Sequence, residues 1–146
     1  MPSPFGNAFM KAIIASPLHP LLGDGFAVIT VTGRKTGRRI STPINVAPQD
    51  GEFVVISYRN RLWWRNLLDG RKGELHHRGS TLPVAARILD QTAGVAAELK
   101  KYFEKYPGRE KYFGIRTGGE GKVPEEELTR AAAERVVVFL TPSASG

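Results

Sequence analysis

"GFAVITVTGRKTGRRISTPINVAPQDGEFVVISY", residues 25–58, decides the fold. Phe26 to Val31 is apolar and β-branched and is bounded by Gly25 and Gly33, which suits a strand. "RRISTPINVA" follows and alternates, placing Ile40, Thr42, Ile44 and Val46 on one face. Pro43, in its middle, has no N–H to give to a ladder and predicts an edge or an irregular pairing there. "EFVVISY" is a third strand, reached through Gln49-Asp50-Gly51, whose Asp-Gly pair signals a tight hairpin.

The rest of the chain extends the same pattern. "RLWWRNLLDG" reads as a short helix ended by Gly70, with Leu62, Trp63, Asn66 and Leu67 on one side. "KGELHHRG" and "TLPVAARIL" read as a further hairpin, and "RVVVFL" as a last strand before a frayed tail over 141–146. Residues 92–106 form the clearest helix, with Val95, Leu99, Tyr102, Phe103 and Tyr106 along its buried stripe. "VPEEELTRAAAE" is a shorter helix with acids in its first turn. Residues 5–16 place Phe5, Phe9, Ala12 and Ile13 at helical spacing until Pro17 stops the run. The expected class is α+β: about six mostly antiparallel strands in a small barrel, an N-terminal helix over 1–17, and two or three peripheral helices. No repeat or linker divides residues 1–146, so the chain is read as one domain.

Composition narrows the function classes. The chain has no Cys, which excludes disulfides, thiolate metal sites and Cys nucleophiles. No apolar stretch approaches the length of a membrane span, and the N-terminus makes a poor signal peptide, so the protein is expected in the cytoplasm. Net charge is +7, from 21 Lys+Arg against 14 Asp+Glu. Residues 34–78 hold ten basic and four acidic residues, and the remainder is close to neutral. The excess is therefore local and argues for an anion site.

Several familiar signatures fail. In "GIRTGGEGKV" Arg116 stands where a phosphate-cradling loop needs its first Gly, and Val123 replaces the Ser/Thr. His76 and His77 are adjacent in a strand and point to opposite faces, so they cannot chelate together, and no metal site is expected. No Gly-x-Ser-x-Gly elbow occurs.

Three stretches carry candidate chemistry. Arg34, Lys35, Arg38 and Arg39 crowd one turn with Thr36, and they repel one another unless solvent or an anion neutralises them. Gly33 and Gly37 let the backbone approach such an anion. In "SYRNRLWWRN" (57–66), Arg59, Arg61 and Arg65 surround Trp63 and Trp64, a pattern that suits core packing, a planar anionic cofactor or stacked bases. In "YFEKYPGREKYFG", Tyr102, Tyr106 and Tyr112 could be core, or could wall a pocket and offer hydroxyls to a substrate.

Taken together, "TGRKTGRRISTP", "SYRNRLWWRN" and "YPGREKYFG" resemble the deazaflavin-dependent nitroreductase and quinone reductase family of actinobacteria, over nearly the whole chain. The resemblance implies a split β-barrel and use of coenzyme F420, an 8-hydroxy-5-deazaflavin with a phospholactyl and oligoglutamate tail. It implies that Arg34, Lys35 and Thr36 hold that tail, with Arg38 and Arg39 complementing its charge. Pro43 would line the deazaflavin groove, Ser57 would lie near the ring, and Trp63 and Asn66 would flank the coenzyme. Tyr106 and Tyr112 match two substrate-pocket tyrosines; with Ser57 they are the catalytic candidates. Two departures bear on the substrate mouth: only Tyr58 to Leu62 separate the serine from the tryptophan, and Arg109 replaces a third pocket tyrosine. Hydride would pass to an electron-poor acceptor such as a quinone, a nitroaromatic or an unsaturated lactone, and the cofactor carries that chemistry. The alternatives are an FMN-dependent split-barrel oxidoreductase and a nucleic-acid-binding β-barrel module, with nucleic acid not expected as a partner. A monomer or homodimer is expected. The N-terminal helix, with one Lys and modest amphipathicity, suits capping the barrel better than weak contact with a membrane.

Overall fold

The computed structural model describes residues 25–115 and 122–143. The expected helix over 1–17 lies outside the described residues, as do 144–146 of the tail. Six strands form a closed antiparallel barrel: β1 (Phe26–Thr32), β2 (Arg39–Gln49), β3 (Glu52–Tyr58), β4 (Gly73–His77), β5 (Ser80–Leu89) and β6 (Arg135–Pro142). Their order around the barrel is β1-β2-β3-β6-β5-β4, closed by β1 against β4. A 3₁₀ segment spans Trp63–Gly70, and the helices are α1 (Thr92–Lys105) and α2 (Glu125–Ala133).

Turn chemistry sets the hairpins. Asp50 and Gly51 both take positive φ, 51° and 80°, the geometry of a type I′ turn whose twist matches its strands. Arg78 and Gly79 do the same between β4 and β5, at 51° and 79°. Arg78 is an unusual residue for that position; the short register His77↔Ser80 imposes it.

Period-two alternation then sorts the side chains into two cores. Ile29, Val55, Val84, Val136 and Val138 fill the barrel together with Trp63, Trp64 and Leu67, which plug it from the 3₁₀ segment. Val54, Val137 and Phe139 face outward and pack under Val95, Leu99 and Phe103 of α1 and Leu128 of α2. β6 is thus buried on both faces, which explains its unbroken Val-Val-Val-Phe-Leu run. Fully burying each such side chain stabilises the fold by roughly 1.5–3 kcal/mol.

Three expectations need correction. Thr141 and Pro142 are not frayed, because β5 is long enough to pair with them (Ala85↔Thr141, Val84↔Pro142) and Glu52 accepts a hydrogen bond from Thr141 Oγ1 at 2.9 Å. Leu62 lies outside the buried side of its segment and is 66% exposed. It precedes the first 3₁₀ turn, so helical spacing does not apply to it. Both tryptophans are core, at 4% and 6% exposure, as the core-packing reading has it. Arg59 does not join a cationic surface, because its guanidinium donates to the carbonyls of Ala133, Asp90 and Arg135 and ties the end of α2 to the barrel.

Two expectations match the structure. His76 and His77 do face opposite sides. His76 takes both ring nitrogens to hydroxyls, Nε2 to Thr30 Oγ1 and Nδ1 to Thr81 Oγ1, each at 3.0 Å. His77 meets Phe53 edge-on at 5.2 Å. Pro43 is irregular in pairing as well: it sits opposite Val28 of β1, in a part of β2 where β3 is no longer a partner.

Candidate active site

That loss of partner opens the site. β2–β3 pairing runs only from Val46↔Val55 to Gln49↔Glu52, although both strands continue beyond it. Residues 43–45 of β2 remain paired with β1, and residues 56–58 of β3 with β6. The two strands part while the barrel stays closed elsewhere, and a cavity of about 220 Å³ occupies the gap. Pro43 and Asn45 line one wall, Ser57 and Tyr58 the other, and Trp63 lies between them. A proline costs little here because β1 alone neighbours the strand.

The 3₁₀ segment connects this cavity to the basic turn. Residues three apart eclipse on such a helix, so Trp63 and Asn66 lie on one side of it. Trp63 Nε1 donates to Ser57 Oγ at 3.1 Å within the cavity wall. Asn66 Oδ1 accepts the backbone N–H of Arg34 at 2.9 Å, and its Nδ2 donates to Leu62 O at 3.2 Å, clipping the turn to the segment. The turn is closed by Gly33 N–H to Arg38 O at 2.7 Å and Gly37 N–H to Gly33 O at 2.9 Å. A Cβ on Gly33 would lie 2.7 Å from Thr36 Oγ1, and Gly37 has φ 72°, so both glycines answer a local need.

The cations of the turn divide into two kinds. Arg39 is paired with Glu74 of β4 at 2.9 Å, and Arg34 lies 4.0 Å from Asp69 while also donating to Arg65 O. Lys35 and Arg38 are exposed and have no ion pair among the described residues. Thr36 Oγ1 accepts from Arg38 N–H at 3.2 Å, so this hydroxyl shapes the turn.

Ser57 is similarly committed. Its Oγ accepts from Trp63 and donates its own hydrogen to Tyr58 O at 3.1 Å. The tyrosines separate as well. Tyr102 and Tyr112 line the cavity, whereas Tyr106 does not. Tyr106 stands behind Tyr102 at 5.2 Å between ring centroids, with the Arg109 guanidinium 4.1 Å from its own ring. Arg109 also donates to Tyr102 Oη at 2.8 Å, so the residue in the third tyrosine's place braces the wall.

Sequence reasoning missed Arg135 altogether. It lines the cavity at 5% exposure, with its guanidinium 4.5 Å from the Tyr58 ring and 4.7 Å from that of Phe113. Its position at the head of an apolar strand, where a cation is out of pattern, was the one available signal. Arg61, one of the cations near the tryptophans in sequence, lines the cavity. Asn45 lines the cavity too, while its Oδ1 is buried beside Gly25 and has no hydrogen-bond partner among the described residues.

These features fit a planar ring with an anionic tail. The gap offers aromatic and apolar walls, and the adjoining turn offers two cations with no ion pair among the described residues. The described residues contain no group of three or more His, Cys, Asp or Glu that could hold a metal ion. No helix among them is long and apolar enough to cross a membrane.

Comparison with known proteins agrees. A family model described as F420H(2)-dependent quinone reductase matches residues 9–117. The structure of an F420-H2-dependent reductase (FDR-A) superposes with a TM-score of 0.51 at 17% identity, over 81% of this chain and 96% of that one. The FAD- and heme-binding protein from Mycobacterium smegmatis superposes at 0.52 with 17% identity, over 89% and 72%. A protein described as a domain-swapped dimer superposes at 0.50 with 15% identity, over 91% and 94%. At such identities the structures establish the split-barrel fold and leave the ligand to the site. No curated protein matches the chain.

Proposed function

The chain belongs to the F420H(2)-dependent quinone reductase family, and we propose that it holds the deazaflavin ring in the β2–β3 gap and the anionic tail along the Gly33–Arg39 turn. When bound, the coenzyme supplies a hydride. Pro43 and Trp63 shape the ring's slot, and Trp63 is kept in place by its bond to Ser57. Lys35 and Arg38 meet the phosphodiester and carboxylates, while Asn66 holds the turn against the ring end. Tyr102 and Tyr112 wall the acceptor side, where a quinone, a nitroaromatic or an unsaturated lactone is reduced.

One observation carries this reading: a turn with two exposed cations, Lys35 and Arg38, clipped by Asn66 to the segment that lines the cavity. FMN has a single phosphate, and the span of cations exceeds what it needs. The test is a fluorescence titration of F420 into the protein, with FMN as control. Submicromolar to micromolar binding of F420 that weakens as salt rises supports the assignment. Tighter binding of FMN than of F420 overturns it in favour of a flavin enzyme.

A further inference from the structure

Tyr58 and Arg135 form a pair that the family assignment does not use. Arg135 Nη2 donates to Tyr58 Oη at 3.1 Å, and Nη1 donates to Ala131 O at 3.2 Å. The guanidinium is sandwiched between the Tyr58 and Phe113 rings, and all three residues line the cavity. Its nearest carboxylate among the described residues, Glu134, lies 3.7 Å away and is itself largely exposed. A buried cation is costly unless it is paired and hydrogen-bonded, and here two hydrogen bonds and two ring faces supplement a distant carboxylate.

The phenol it holds is poised to donate. A tyrosine hydroxyl both accepts and donates. Arg135 takes an accepting position on Tyr58 Oη, and no described group receives its hydrogen. The neighbouring Ser57 hydroxyl has already given its hydrogen to Tyr58 O. Of the two hydroxyls on this wall, only that of Tyr58 is free to protonate an acceptor. Tyr58 is also 49% exposed, so solvent can return a proton to it.

We propose that Tyr58 is the proton donor of the reduction and that Arg135 is its positioning residue; the proposal rests on the reading that the β2–β3 gap is the reduction site. The acceptor gains two electrons and one proton as hydride from the reduced coenzyme. Its developing oxyanion takes the second proton from Tyr58 Oη. The phenolate left behind faces the Arg135 guanidinium until water reprotonates it, so charge and protons balance. A fixed donor aimed at a developing oxyanion favours acceptors whose reduced form carries its charge on oxygen, such as quinones and unsaturated carbonyls.

Three measurements test this. Tyr58→Phe should keep its melting temperature and bind F420 within about twofold of wild type, while kcat with a water-soluble quinone falls about a hundredfold or more. The solvent deuterium isotope effect on kcat should disappear with it. Independently of turnover, the coenzyme-free protein should bind 4-nitrophenolate, an oxyanion probe followed by its absorbance. Tyr58→Phe should weaken that binding about tenfold, and Arg135→Lys, with the charge kept and the fork lost, should lie between. Unchanged kcat and probe binding in Tyr58→Phe overturn the proposal. Failure of wild type to bind F420 would instead overturn the site assignment, so the two outcomes are distinguishable.

Discussion

The two ends of the site are built on opposite principles. At the end proposed to hold the ring, Trp63, Ser57 and Arg135 are all buried and hydrogen-bonded, and each is also part of the packing that holds the barrel. At the end proposed to hold the tail, Lys35 and Arg38 stand in solvent on a turn whose backbone closes without their side chains. One end gives shape and is inseparable from stability. The other gives charge and is nearly independent of the fold. Substitutions should therefore separate into those that unfold and those that only unbind.

The largest effect should come from Trp63→Ala, which removes a barrel plug and the donor to Ser57. A loss of ~3–5 kcal/mol in stability is expected from denaturant unfolding. A Trp63→Ala protein as stable as wild type would erase the contrast. Next comes the pair Lys35→Ala with Arg38→Ala. It should leave the melting temperature unchanged and weaken F420 binding by ~1–3 kcal/mol, with a shallower salt dependence, as read by titration over a range of ionic strength. If an F420 analogue lacking phosphate and glutamates lost as much affinity in the pair, these cations would not be meeting the tail.

Asn66→Ala tests the join between the two ends. Losing the acceptor for Arg34 N–H should cost about 1 kcal/mol in F420 affinity, with a smaller change in stability. Calorimetry alongside the titration would show whether the two effects separate in that order. The smallest effects concern the tyrosines. Tyr112→Phe should lower turnover while sparing coenzyme affinity, whereas Tyr106→Phe, outside the cavity, should change kcat by less than about twofold. The reverse ranking in steady-state kinetics would mean that Tyr106 moves into the site during turnover.

What could be read from the sequence was local. The Asp50-Gly51 turn, the alternation through Ile40–Val46, the α1 stripe of Val95, Leu99 and Phe103, and the crowding of cations over 34–39 each depend on neighbours within a few residues. The motif stretches around Arg34 and Trp63 were sufficient to suggest the family. Tertiary structure alone decided where β2 and β3 part, because that follows from how far each strand prefers β1 and β6 as partners. It also decided that Tyr102 and not Tyr106 reaches the cavity, and that Arg59 is spent on carbonyls 31 to 76 positions away. The Tyr58–Arg135 contact spans 77 positions. Barrel closure brings those residues together, and no period or spacing along the chain encodes that distance.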